Sequence, residues 1–158
     1  MDPTQDRDSP EAVIRRYSDM VYRLAFARTG NRSDAEDLYQ EVFLRYLRSD
    51  PQFTSEEHRK AWLLRVTVNC CRTHLSAPWR RHTVPLEDVY ACQTPEESAV
   101  ADALQALSSR DRAIIHLFYF EGYGTEEIAG ITGLRPASVR SRLTRARQKL
   151  RKILKEEL

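Results

Sequence analysis

The sequence predicts an all-α protein of two small helical domains joined by a flexible linker, the C-terminal one a helix-turn-helix domain. Three observations carry this. Apolar residues recur at intervals of three and four along most of the chain, the spacing of one face of a helix. Glycine is scarce, at five in 158 residues, and strand-like alternation is scarce with it. Between Ala77 and Gln93 the helical pattern gives way to two prolines, mixed polarity and an acidic stretch around Glu87-Asp88. The expected boundaries are 1–76 for the first domain, 77–94 for the linker and 95–158 for the second.

Ser9-Pro10 is a cap followed by a first-turn proline, and Val13, Ile14, Tyr17, Met20, Val21, Leu24 and Ala25 form the stripe of a first helix that Gly30 ends. Ser33 and Glu36 have capping-box spacing for a second helix. It buries Leu38, Tyr39, Val42, Phe43 and Tyr46. Its other side shows Asp37, Gln40, Glu41 and Leu44, at i, i+3, i+4 and i+7, as a single acidic and amphipathic face. Spacing alone favours an ordinary solvated surface, with Glu41 and Arg45 as an i,i+4 pair. The functional alternative is a docking surface for a basic partner.

Pro51 breaks that helix, and Thr54 with Glu57 makes another capping box. A third helix runs through Trp62, Leu63, Val66 and Cys70 to Leu75, with Arg59, Lys60, Arg65, Asn69, Arg72 and His74 on its other faces. After it comes SAPWRRH, where Trp79 lies between Pro78 and Arg80-Arg81. Cations interleaved with aromatics suit single-stranded nucleic acid, with stacking for bases and charge for the backbone. The plain alternative is a core Trp62 and a solvated Arg80-Arg81; a half-buried indole at Trp62 satisfies both.

Thr94-Pro95-Glu96-Glu97 restarts helical structure with a cap, a proline and a capping box, and Val100, Ala103, Leu104 and Leu107 are its stripe. Ser108 opens a fifth helix with Ala113, Ile114, Leu117 and Phe118, ending at Gly122. Gly124 to Leu150 then reads as two helices joined by a tight turn. Thr125 is the expected cap, Glu126 and Glu127 favour the helix dipole, and Ile128, Ala129 and Ile131 are the apolar face. Gly133 stops this helix and Pro136 starts the next, on which Val139, Leu143, Ala146 and Leu150 form the buried stripe. The opposite face carries Ser138, Ser141, Thr144, Arg145 and Gln148, flanked by Arg140, Arg142, Arg147, Lys149 and Arg151. This matches a helix-turn-helix, whose second helix enters the major groove while its flanks meet phosphates. Arginine reads guanine edges bidentately and small hydroxyls reach base edges or phosphate.

The formal charge of +2 hides an asymmetry. From Leu134 to Leu158 there are nine Lys or Arg against two Glu, net +7, which leaves −5 for residues 1–133. A basic tail on an acidic body implies one nucleic-acid face and other surfaces with other work. Residues 1–10 are polar and acidic with no apolar run behind them, so no signal peptide is expected, and no stretch is long enough to span a bilayer. Cys70, Cys71 and Cys92 are odd in number and lack a C-x-x-C, which indicates neither a disulfide framework nor a zinc site. A reduced cytoplasmic protein is the simple inference. His74 near Cys70 and Cys71 allows a redox or metal site, but partly buried structural residues are the better reading. There is no phosphate-binding glycine loop and no nucleophile elbow, so no enzyme activity and no cofactor are expected.

Two domains of this kind, in this order, resemble a bacterial RNA polymerase sigma factor of the extracytoplasmic-function type. DAEDLYQEVFLR (Asp34–Arg45) looks like the family's core-polymerase-binding helix, and AWLLRVTVNCCRTHL (Ala61–Leu75) like its promoter-melting and downstream-element helix. Leu107 to Leu150 looks like its C-terminal helix-turn-helix domain. Any one alone occurs in other contexts; together and in order they are specific. The resemblance covers about Ser9 to Leu154. It implies core RNA polymerase as partner, through its large β-type subunits, with Asp37, Gln40, Glu41 and Leu44 as the contact. It also implies promoter DNA, duplex and melted. Upstream-element contact falls to Thr125, Arg135, Ser138, Arg140, Ser141, Arg142, Thr144 and Arg145, and downstream-element contact to Arg59, Lys60, Trp62, Arg65, Asn69 and Arg72. An anti-sigma partner and a monomeric free state follow from the same resemblance. The family has small or apolar residues where this chain has Cys70-Cys71. The competing expectation is a stand-alone helix-turn-helix regulator whose N-terminal domain senses a ligand or dimerises.

Overall fold

A computed structural model describes residues 9–76 and 95–157, all of whose regular elements are helices. They are α1 (Pro10–Thr29), α2 (Arg32–Ser49), α3 (Glu56–Ser76), α4 (Pro95–Gln105), α5 (Ser109–Tyr119), α6 (Thr125–Thr132) and α7 (Pro136–Glu157). The expected linker, with Trp79, Arg80, Arg81 and Cys92, and the expected Thr94 cap lie outside the described residues.

Several helix ends form as the sequence predicts. Ser9 Oγ accepts the Ala12 N–H at 3.2 Å, and Ser108 Oγ accepts the Asp111 N–H at 3.1 Å. Gly30 and Gly133 close α1 and α6 at φ 69° and 78°, the left-handed region that costs glycine least. The fifth helix ends at Tyr119, three residues before Gly122.

Three expected caps move by one to two residues. Asn31, not Ser33, caps α2, because its carboxamide oxygen reaches the Asp34 N–H at 3.0 Å. Ser55, not Thr54, caps α3 through the His58 N–H at 3.1 Å, while Thr54 faces the His58 ring. The N-cap of α6 is Gly124, not Thr125; the Glu127 carboxylate accepts the Gly124 N–H at 3.1 Å, half of a capping box that needs no side chain at the cap.

Helices α1, α2 and α3 form the N-terminal bundle around Val13, Val21, Leu24, Val42, Leu63, Leu64 and Val68, each essentially without solvent contact. Along α3 the buried set is Arg59, Leu63, Leu64, Thr67, Val68, Cys70 and Cys71, wider than the predicted stripe, and Trp62 and Val66 are only partly buried. The reason is that α3 is packed from two directions, by α1 and α2 on one side and by α6 on the other. Helices α4 to α7 form the C-terminal bundle around Leu107, Ile114, Leu117, Ile128, Val139 and Leu143. Val100, predicted for the α4 stripe, is exposed, since α4 packs on α7 through Ala103 and its neighbours.

The two bundles touch. α1 lies against α5 and α3 against α6, and a continuous apolar cluster runs through both. At the contact Arg112 of α5 donates to the carbonyls of Ala27 and Arg28, both at 2.7 Å. These last-turn carbonyls of α1 have no partner within their own helix, so a guanidinium from the other bundle finishes the helix end.

Candidate functional site

The basic face of α7 is built by bracing its other side. Val139, Leu143 and Ala146 are buried against the bundle, which turns Arg140, Ser141, Thr144 and Arg145 outward together. These four line one open groove, and Ala137, Ser138, Ser141, Arg142 and Arg145 line a second beside it. Arg145 is steadied by a 3.3 Å bond from Nε to the Ser141 carbonyl. Arg135 is exposed just before the helix, and Thr125 is half-buried in the first turn of α6.

Not every cation on α7 is available. Arg142 is ion-paired with Asp111 of α5 at 3.0 Å, with 30% of its side chain exposed. Arg147 donates to the Tyr119 hydroxyl at 2.7 Å and lies over the Phe118 ring at 4.9 Å. Lys149 donates to the Ala106 carbonyl at 2.9 Å. The positive charge of this helix therefore does two jobs: one row faces solvent and the other clamps the helix to α4 and α5. The clamp was not foreseen, although Asp111, Phe118 and Tyr119 were readable partners.

The six residues expected on the α3 face separate into three groups. Arg65 and Asn69 are exposed. Arg59 is buried instead: it is ion-paired with Glu56 and its guanidinium lies 5.2 Å from the Phe53 ring centroid. Glu56 also accepts from the Tyr17 hydroxyl at 2.6 Å and pairs with Arg16 at 2.9 Å, so Arg59 belongs to a structural network. Lys60, half-buried, and Arg72, which stays exposed, reach the C-terminal bundle. Lys60 Nζ is 3.7 Å from Glu121 and 5.3 Å from the Tyr123 ring, and Arg72 donates to the Thr132 carbonyl at 3.3 Å.

Trp62 is half-buried, as expected, within an aromatic wall. Tyr46 and Phe53 both meet it edge-on, with ring centroids at 5.8 and 5.9 Å. Phe53 also stacks parallel to Tyr46 at 6.4 Å. Phe53 was missed in the sequence because it lies in the short connection after Pro51, outside any periodic pattern.

On α2, Asp37 and Gln40 are exposed and Leu44 is 42% exposed. Leu47 extends the same surface by one turn at 47%. Glu41 forms the ordinary i,i+4 pair with Arg45 at 2.9 Å. The face is thus a ridge of two leucines edged by acid.

Cys70 and Cys71 are buried free thiols. Burial pushes the Cys71 thiol up to about 12, and the Cys70 thiol is raised for the same reason. His74 turns to Asp34, with Nε2 3.0 Å from Oδ1, rather than to the cysteines. Among the described residues no group of three or more His, Cys, Asp or Glu is placed to hold a metal ion, and no helix is long and apolar enough to cross a membrane.

Comparison with known proteins fits this geometry. The Sigma-70 region 2 family model matches residues 13–81 and the Sigma-70, region 4 model matches residues 97–150. The chain is 36% identical over 157 residues to the ECF RNA polymerase sigma factor SigE of Mycolicibacterium smegmatis, covering 91% of this chain and 61% of that protein. It is 31% identical over 154 residues to the ECF RNA polymerase sigma factor SigM of Mycobacterium tuberculosis, covering 94% of this chain and 79% of that one. The fold is shared with the sigma factor RpoE of Bartonella quintana, solved in complex with the anti-sigma factor NepR. The TM-score is 0.75 at 22% identity, over 92% of this chain and 96% of RpoE.

Proposed function

The chain belongs to the ECF RNA polymerase sigma factors, and on that premise we propose that it binds core RNA polymerase and directs it to promoters of two elements. The observation that carries the proposal is the outward row Arg140, Ser141, Thr144 and Arg145 on a helix where the interleaved Arg142, Arg147 and Lys149 are tied to its own bundle. This row reads the upstream element as duplex, with phosphate neutralisation supplying affinity and a few base contacts supplying sequence. Arg135 and the serine and threonine side chains around it add phosphate contacts.

The exposed part of α3, with Arg65, Asn69 and the open side of Trp62, holds the melted strand of the downstream element. Capture of an unstacked base offsets an unstacking cost of a few kcal/mol. The acid-edged leucine ridge of Asp37, Gln40, Glu41, Leu44 and Leu47 docks on the polymerase. Residues 1–76, 77–94 and 95–158 serve as the polymerase-binding and melting domain, the linker and the upstream-reading domain. No bond chemistry is assigned to the protein itself; polymerase performs it, in the cytoplasm. An anti-sigma partner belongs to the same proposal, supported by the fold shared with a sigma factor held by one.

The test is co-elution with bacterial core RNA polymerase on size exclusion, followed by transcription from random-library promoter DNA. Stable co-elution with transcripts from one bipartite motif is expected. Free elution with binding to a palindromic duplex would overturn the proposal in favour of a stand-alone regulator.

A further inference from the structure

We propose that a cavity at the seam between the two bundles is a binding site for a small aromatic acid. The cavity encloses about 330 Å³, at the small end of the range for ligand pockets, about 300–1,000 Å³. At about 30 Å³ for a water-sized group, it takes on the order of ten heavy atoms. Its two walls are both aromatic. On α1, Tyr22 and Phe26 stack with ring centroids 6.3 Å apart and planes 19° from parallel. From the other bundle His116 and Phe120 stack at 5.1 Å and 18°, and Leu104 and Ile115 complete the apolar lining. Phe120 is 71% exposed, so an aromatic ligand seated here buries apolar surface that the chain leaves in water.

Charge selects the ligand's polar group. Arg23 and Arg112 both lie in the lining, and among the described residues no aspartate or glutamate does. Arg112 keeps its charge while donating to the Ala27 and Arg28 carbonyls. Arg23 is exposed at the rim and acts on Glu121 only through its field. The Glu121 carboxylate is instead within 3.7 Å of Lys60 Nζ and of His116 Nε2. Arg23 is therefore the cation that an incoming carboxylate engages, by a charge-assisted hydrogen bond, whereas an ammonium ligand would meet two like charges. The walls come from α1 on one side and from α4 and α5 on the other. A bound acid thus bridges the bundles and favours their packed arrangement to the extent that its concentration exceeds its Kd.

The experiment titrates the full-length protein, labelled at its isoleucine and leucine methyl groups, with 3-phenylpropionate and with the uncharged 3-phenylpropanol, read by NMR. The Ile115 and Leu104 methyl resonances should shift saturably with the acid, at a Kd of about 1 mM or tighter, and the alcohol should bind roughly fivefold more weakly. Arg23→Gln should weaken the acid by roughly fivefold and leave the alcohol within about twofold of wild type. Ala101→Phe, which places a ring in the cavity from α4, should abolish both. If that variant fails to fold, Arg23→Gln decides the matter, because Arg23 is exposed. No saturable shift at Ile115 and Leu104 overturns the site. Equal binding of acid and alcohol, or an Arg23→Gln variant that binds the acid like wild type, overturns the assignment of an acid. A concentration-dependent dimer in analytical ultracentrifugation that Ala101→Phe abolishes would give the cavity to a second copy of the chain and overturn the ligand.

Discussion

Arg142 and Arg145 lie three positions apart on one helix, yet their surroundings differ. Arg142 faces Asp111, while Arg145 faces solvent beside Ser141 and Thr144. Arg145→Ala should cost roughly 1–3 kcal/mol at one upstream base pair and leave thermal stability unchanged. Binding measured on a set of single-base promoter variants checks this, and equal losses on every variant would make Arg145 a phosphate contact. Arg142→Ala should lower folding stability by about 1 kcal/mol or less, because its pair is partly exposed. Glu41→Lys replaces an attraction to Arg45 with a repulsion on the α2 ridge, and it should weaken polymerase association while helix content by circular dichroism stays constant. The cysteines are a contrasting case. A buried thiol pushed up to about 12 has almost no thiolate at neutral pH. Cys71 should therefore resist thiol reagents in the folded protein and react after denaturation in urea, as read by mass spectrometry. Rapid labelling of folded protein would show that its burial is not maintained in solution.

At the scale of elements, what the sequence showed best was periodicity and what it showed least well was the first turn of each helix. Ser108 was correctly placed, because a single serine stands before an apolar repeat. Ser108→Ala should cost about 1 kcal/mol, measured as a shift in urea midpoint at constant slope. Asn31 and Ser55 were missed, since Ser33 and Thr54 each had a glutamate three positions on. Several cap residues were available in each case, and the choice depends on which backbone N–H the loop leaves within reach. Gly133 is where backbone freedom matters most. Its φ of 78° is strained for any other residue, while nothing lies within 4 Å of where a Cβ would stand. Gly133→Ala should thus cost about 1 kcal/mol from strain alone.

For the whole molecule, the contact between the bundles ties stability to acidity. The carboxyl of Glu121 is held below the usual carboxylate range by the His116 ring, despite its burial, with Lys60 across the seam adding to the effect. His116 Nε2 is 3.7 Å away, so the influence is electrostatic rather than a hydrogen bond. A depressed carboxyl contributes stability that is present above its unfolded pKa of about 4.3 and is lost as pH falls through the folded value. Acid unfolding followed by scattering and circular dichroism should show the seam loosening below about pH 4, and Glu121→Gln should flatten that limb. The amino-acid sequence by itself determined the helical class, the two-part order, the helix-turn-helix and its outward row, because these rest on spacing within single helices and on local turn chemistry. Only the tertiary structure decided which cations are free. Arg59, Lys60, Arg72, Arg142 and Arg147 are periodic, basic and unremarkable in the sequence, but their partners lie 3 to 61 positions away, and some belong to the other bundle. Charge type is written in the sequence; what a charge faces depends on contacts between elements distant along the chain.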